Sequence, residues 1–174
     1  TFTDRDVILF SKENFISLKL NANSSPGDSL YASYKCKGVP SLIFINKDGV
    51  EIDRIVGFKE PRAYLENIKK ISSNIETFFS MRNKYISGEK SIDLISLLAR
   101  KYDQQSNLDS AYILYNNLSN FQLSDELKYE MDYFKAKFAL SKDNDLAKIT
   151  NYIKNYPESP YIKKAFLRKI NYFK

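Results

Sequence analysis

The apolar positions of this chain follow one rhythm up to Ile71 and another after it. Before Ile71 the pattern is mixed. Residues 1–10 read as the tail of an amphipathic helix, or as a break and a short second helix, with Val7 and Phe10 inward, ended at Asn14-Phe15. Ile16-Ser17-Leu18-Lys19-Leu20 alternates with the period of a strand. Gly38-Val39-Pro40 then runs into an apolar strand, Leu42-Ile43-Phe44-Ile45. Asn46-Lys47-Asp48-Gly49 follows, and Asp-Gly between two strand-like runs is a strong hairpin signal. Val50 to Phe58 alternates again, with Val50, Ile52 and Arg54 on one face and Glu51, Asp53 and Ile55 on the other. Pro61 suits the first turn of a helix that carries Tyr64, Leu65, Ile68 and Ile71 on one stripe.

Beyond Ile71 only helices are expected. Ile92, Ile95, Leu98, Ala99 and Tyr102 form one stripe, and Leu108, Ala111, Tyr112, Tyr115 and Leu118 repeat it after Ser106-Asn107. Ser124 is a candidate N-cap for a helix with Leu127, Met131, Phe134 and Phe138 inward. Leu146, Ile149, Ile153 and Tyr156 mark a shorter helix stopped by Pro157. Ser159-Pro160 offers an N-cap with proline at the first helical position, opening a helix with Ile162, Ala165, Phe166, Ile170 and Phe173 inward.

The stretch Tyr34 to Phe58 with the following helix resembles the second half of the thioredoxin-like fold: helix, cis-proline loop, hairpin, terminal helix. The N-terminal Thr1-Phe2-Thr3-Asp4 and Val7 are similar to the residues that follow a C-x-x-C motif in that family. The resemblance implies an α/β thioredoxin-like domain over 1–75, lacking its first strand and its redox motif. Residues 76–174 are then an all-α helical-hairpin domain, partly tetratricopeptide-like. Asn107 to Tyr112 with Tyr115 and Leu118 resembles the second helix of a tetratricopeptide pair, and Tyr156 to Tyr161 with Ala165 resembles a join between repeats. The period is irregular, so the likeness is in parts.

The function this resemblance implies is thiol–disulfide exchange in a complete parent protein, acting on a protein or peptide thiol or disulfide. The alternative is a non-catalytic protein-binding module on the same scaffold. In either case Val39 and Pro40 form the substrate-binding loop, with a cis peptide bond whose flanking backbone pairs with an extended substrate. A peptide or partner on the helical region is a further expectation, because repeat pairs can build concave binding surfaces. The resemblance favours a bacterial, extracytoplasmic (periplasmic) setting, with the cytoplasm as the alternative. In the thioredoxin fold the missing strand lies between Ile16–Leu20 and the hairpin. The two should therefore lie apart by roughly twice the ~4.8 Å strand spacing, and the chain should be a fragment or have its vacancy filled by a strand from a partner.

Composition narrows the chemistry. The 174 residues contain no histidine and one cysteine, Cys36, so neither a Cys/His zinc site nor a Ser-His-Asp arrangement can be built and no internal disulfide can form. No catalytic residue, cofactor or metal is expected in this chain. Cys36 precedes Gly38 in an apolar register and reads as a buried structural thiol; the rival reading makes it a lone reactive thiol. Glu130 with Asp132, and Asp143 with Asp145, read as helix-surface charge. The net charge of +6 comes from interspersed lysines, densest at Lys163, Lys164, Arg168 and Lys169. That cluster reads as a solvated helix face, with no nucleic-acid partner, and no run is long and apolar enough to span a membrane.

Overall fold

The protein is described here from a computed structural model covering residues 1–173. It divides into two compact units: Thr1–Glu89 with Gln104–Ser106, and Lys90–Asp103 with the chain from Asn107 onward.

In the first unit the order is α1 (Arg5–Asn14), α2 (Gly27–Ser33), β1 (Ser41–Ile45), β2 (Glu51–Val56), α3 (Pro61–Ser72) and α4 (Phe78–Ile86). Asp4 caps α1, its carboxylate accepting from the N–H groups of Asp6 and Val7. Val7 points inward from that helix and is 2% exposed. β1 and β2 form the hairpin the Asp-Gly turn implies, antiparallel from Ser41 opposite Val56 to Ile45 opposite Glu51, with an irregularity after Phe44. Asn46 organises the turn: its side-chain oxygen accepts from the N–H groups of Asp48 and Val50, while Gly49 takes the positive φ of 75° that the turn requires. One face of the hairpin carries Leu42, Phe44 and Ile55 onto α1 and α3, where Val7, Tyr64, Ile68 and Ile71 complete a small core.

The α/β thioredoxin-like architecture expected from the sequence is not what forms. Helix accounts for 59% of the residues, and among those described the only sheet is the β1–β2 hairpin. Ile16–Leu20 is not a strand; it belongs to no helix or sheet, with Ile16 and Leu18 largely in solvent. The reason is that alternation makes a segment fit to be a strand, but only a neighbouring edge with an apolar layer beneath it makes one. A two-stranded hairpin packed on helices supplies no central sheet, so the core of this unit is helix against hairpin rather than helices on both faces of a sheet.

The second unit is helical: α5 (Ile92–Gln104, its last residue counted with the first unit), α6 (Leu108–Leu118), α7 (Asp125–Asp143), α8 (Leu146–Asn155) and α9 (Ile162–Tyr172). Asn107, Ser124 and Asp145 cap α6, α7 and α8 with side-chain oxygens, and Asn144 ends α7 in the left-handed conformation at φ 57°. Consecutive helices from α6 to α9 pack on one another. The stripe Leu94, Ile95, Leu98 and Ala99 of α5 is buried, as are Ala111, Leu114, Tyr115 and Leu118 of α6. Ser159 and Pro160 do not open α9. Ser159 is 2% exposed in the preceding turn, its hydroxyl within 2.5 Å of the Tyr152 hydroxyl and accepting from the Tyr161 N–H. A buried hydroxyl partner outweighs the cap position there, and the helix starts at Ile162. Phe166, Ile170 and Phe173, expected inward, are exposed.

Candidate functional site

The loop that leads into β1 is held from three directions. Arg54, only 5% exposed on β2, forms a fork with the Glu51 carboxylate at 2.7 and 2.5 Å and donates to the Tyr34 carbonyl at 2.8 Å. The Tyr34 hydroxyl donates to the Gly49 carbonyl across the hairpin turn. Ser41 closes the other end, its hydroxyl donating to the Gly38 carbonyl at 2.6 Å. A buried arginine with one carboxylate partner and one carbonyl partner is a rigid tie, since releasing any member leaves charge without a partner out of water.

Within this frame the Val39–Pro40 peptide is cis, as is Ser25–Pro26, which no motif announced. Val39 is 75% exposed and Pro40 is exposed beside it. The Pro40 carbonyl accepts from the Gly57 N–H at 2.9 Å, which extends the hairpin pairing by one step. Backbone groups of an antiparallel strand alternate in direction, so Leu42 and Phe44 bond toward β2. Ser41 and Ile43 then aim their N–H and C=O groups away from β2, along an edge that no other strand covers. Half-buried Leu42 and Phe44 lie beside that edge, and the Phe15 ring meets Phe44 edge-on at 5.3 Å. The arrangement offers aligned donors and acceptors with apolar surface next to them.

Cys36 lies outside this edge. It is a free thiol of intermediate exposure rather than the buried one expected, its N–H donating to the Tyr31 carbonyl at 3.0 Å. The chain leaves α2 through Lys35 at a φ of 52°, and this turn, not a strand register, sets where Cys36 sits. Among the described residues no three His, Cys, Asp or Glu side chains gather closely enough to hold a metal ion.

The second unit holds a polar cluster that the sequence reading assigned to the surface. Glu130 is 8% exposed, and its carboxylate accepts two bonds from Arg100 at 2.6 and 2.7 Å, one from the Tyr115 hydroxyl at 2.7 Å and one from Tyr161 at 3.2 Å. Burial alone would raise the Glu130 pKa; the hydrogen bonds from Arg100 and Tyr115 outweigh it and hold the carboxyl below its ordinary value. Burial and the adjacent carboxylate push the Tyr161 hydroxyl up to about 12. The Tyr115 hydroxyl is raised for the same reasons. Asp132 accepts from the Tyr156 hydroxyl at 2.6 Å, which raises that tyrosine to about 12. The spacing was a readable signal: Glu130 lies three residues after Leu127 and four before Phe134, on the apolar face of α7. With all four of its acceptor positions used, Glu130 has none left for a substrate proton, and it acts as a structural anchor.

Comparison of the chain with protein-family models, with curated proteins and with solved structures finds no match. No described helix is long and apolar enough to cross a membrane.

Proposed function

We propose that the first unit is a protein-binding module that takes an extended peptide segment onto the free edge of β1, beside Val39 and Pro40. The observation that carries this reading is the edge itself. Ser41 and Ile43 present unpaired backbone groups on a strand whose register is fixed by β2 and whose entry loop is tied down by Arg54. Main-chain bonds along such an edge supply affinity, and neighbouring apolar side chains supply selection. Left open, the edge of a strand is a template for another chain. Of binding and thiol–disulfide exchange, binding is the one these residues can perform by themselves. Exchange through a mixed disulfide needs a second thiol to resolve it, and Cys36 is the single cysteine of the sequence.

The test is a substitution that removes a donor from the edge and leaves the hairpin bonds alone. Peptides selected from a random displayed library on the full 174-residue chain would be measured against wild type and Ile43→Pro. Proline deletes the outward N–H of residue 43 and is tolerated at sheet edges. The expected result is a loss of affinity of roughly tenfold or more, corresponding to one or two main-chain hydrogen bonds, with circular dichroism unchanged. Selected peptides that bind the variant as tightly as wild type would overturn the proposal.

A further inference from the structure

The outer face of α9 carries apolar side chains and cations together. Phe166, Ile170 and Phe173 recur at the spacing of one helix face, with Leu167 beside them, opposite Ala165, which is fully buried. Phe166 is 48%, Leu167 51%, Ile170 52% and Phe173 70% exposed. Lys163 lies within this arc and is exposed; Lys164 and Lys169 border it on its two sides. From Tyr161 to Phe173 the sequence contains four cations, Lys163, Lys164, Arg168 and Lys169, and no carboxylate. Among the described residues none of these four is in an ion pair with an acidic side chain. Arg168 is occupied inward, its Nε donating to the Tyr133 hydroxyl at 2.9 Å, and Lys164 rests over the Tyr161 ring. Lys163 and Lys164 are exposed, and half-buried Lys169 adds a third cation at the border of the face.

We infer that this face of α9 docks on an anionic phospholipid surface. A partner must satisfy two conditions at once: it must take up four exposed apolar side chains, and it must be negatively charged around them. A bilayer with acidic headgroups meets both, with phenylalanine, leucine and isoleucine entering the boundary of the acyl region while lysines reach back to the headgroups. Nucleic acid satisfies the charge but offers a polar phosphate backbone to the apolar arc. The face is the convex side of a single helix with flexible lysines at its borders, a shape that suits a fluid surface more than a fixed groove. Binding of this kind is peripheral, and it rests on the second unit alone, independent of the peptide edge.

The experiment is co-sedimentation of the full chain with vesicles of phosphatidylcholine alone or with ~30% phosphatidylserine, at low and high salt. Binding is expected on the acidic vesicles, with weakening by salt and little retention on the neutral ones. Lys163→Glu with Lys164→Glu, both at exposed positions, is expected to weaken it roughly fivefold or more per cation. Leu167→Asp with Ile170→Asp is expected to weaken it by at least about tenfold, since an interfacial helix needs its apolar face. Circular dichroism of each variant establishes that the helices are intact. No binding to acidic vesicles, or binding that survives both pairs of substitutions, overturns the inference. So does self-association of the wild type in sedimentation that Leu167→Asp with Ile170→Asp abolishes while vesicle binding persists, because the face then joins copies of the chain.

Discussion

Glu130→Ala is expected to destabilise the second unit by about 3 kcal/mol, read from its urea unfolding midpoint. The carboxylate holds α5, α6, α7 and the start of α9 through one point, accepting from Arg100, Tyr115 and Tyr161. Its removal has unequal consequences for those donors. Arg100 is partly exposed, its side chain at 44%, and water replaces much of what it loses. Tyr115 is 2% exposed and stacks on Phe134 at 4.5 Å, so its hydroxyl is left without an acceptor in a place water does not reach. Asp109→Asn is the control. Its pair with Lys142 is at the surface, with the aspartate side chain 68% exposed, and less than about 1 kcal/mol is expected. The pH dependence has a definite sign. A carboxyl whose folded pKa is depressed contributes its stability fully above the ordinary value of 4.5, and loses that contribution as pH falls through the folded value. Acid should therefore weaken the wild type more than Glu130→Ala in that range, and the two curves should converge.

Ile68→Ala should cost the first unit roughly 3 kcal/mol, and with it much of the support of the hairpin. Ile68 is 0% exposed in a core whose other buried members are Val7, Ile55, Tyr64 and Ile71. So few residues share the burial that a cavity at the centre has little around it to collapse inward. Because Ile55 and the Leu42–Phe44 face rest on this core, peptide binding at β1 should fall with stability. Ile16→Ala removes the same atoms from a side chain that is fully in solvent, and its effect should stay within about 0.5 kcal/mol. Equal losses from the two variants, measured by urea unfolding, would mean that the core is elsewhere.

These contrasts also show what sequence pattern carries and where it stops. The hairpin was legible because its turn residues encode local geometry: Asn46 and Gly49 need no distant partner to do their work. The α3 stripe and the stripes of α5 to α8 were legible because helices satisfy their backbone internally, leaving only a face to assign. The helix that the resemblance implies before the proline loop has no bounds legible in the sequence, since Gly27–Ser33 is short and lies in a Ser-, Asn- and Pro-rich stretch without an apolar period. Helix α4 was also unread, although Thr77 accepts from the Ser80 N–H as its cap. Ile16–Leu20 failed for the opposite reason, because a strand depends on what lies beside it. The α9 face failed because an apolar stripe names a face that wants cover without saying whether the protein itself covers it. At the candidate site, Val39 and Pro40 were visible as a motif, whereas the outward groups of Ser41 and Ile43 follow only from the register. The Arg54 tie depends on the carbonyl of Tyr34, twenty residues away, which no local pattern reveals.

Backbone amide exchange, measured residue by residue with and without a selected peptide, addresses the free edge most directly. Without peptide, the N–H groups of Leu42 and Phe44 should exchange slowly, being bonded toward β2, and those of Ser41 and Ile43 quickly. With peptide bound, Ser41 and Ile43 should slow by about tenfold or more while Leu42 and Phe44 change little. A peptide that binds and leaves the exchange of Ser41 and Ile43 unchanged would contradict strand addition at β1.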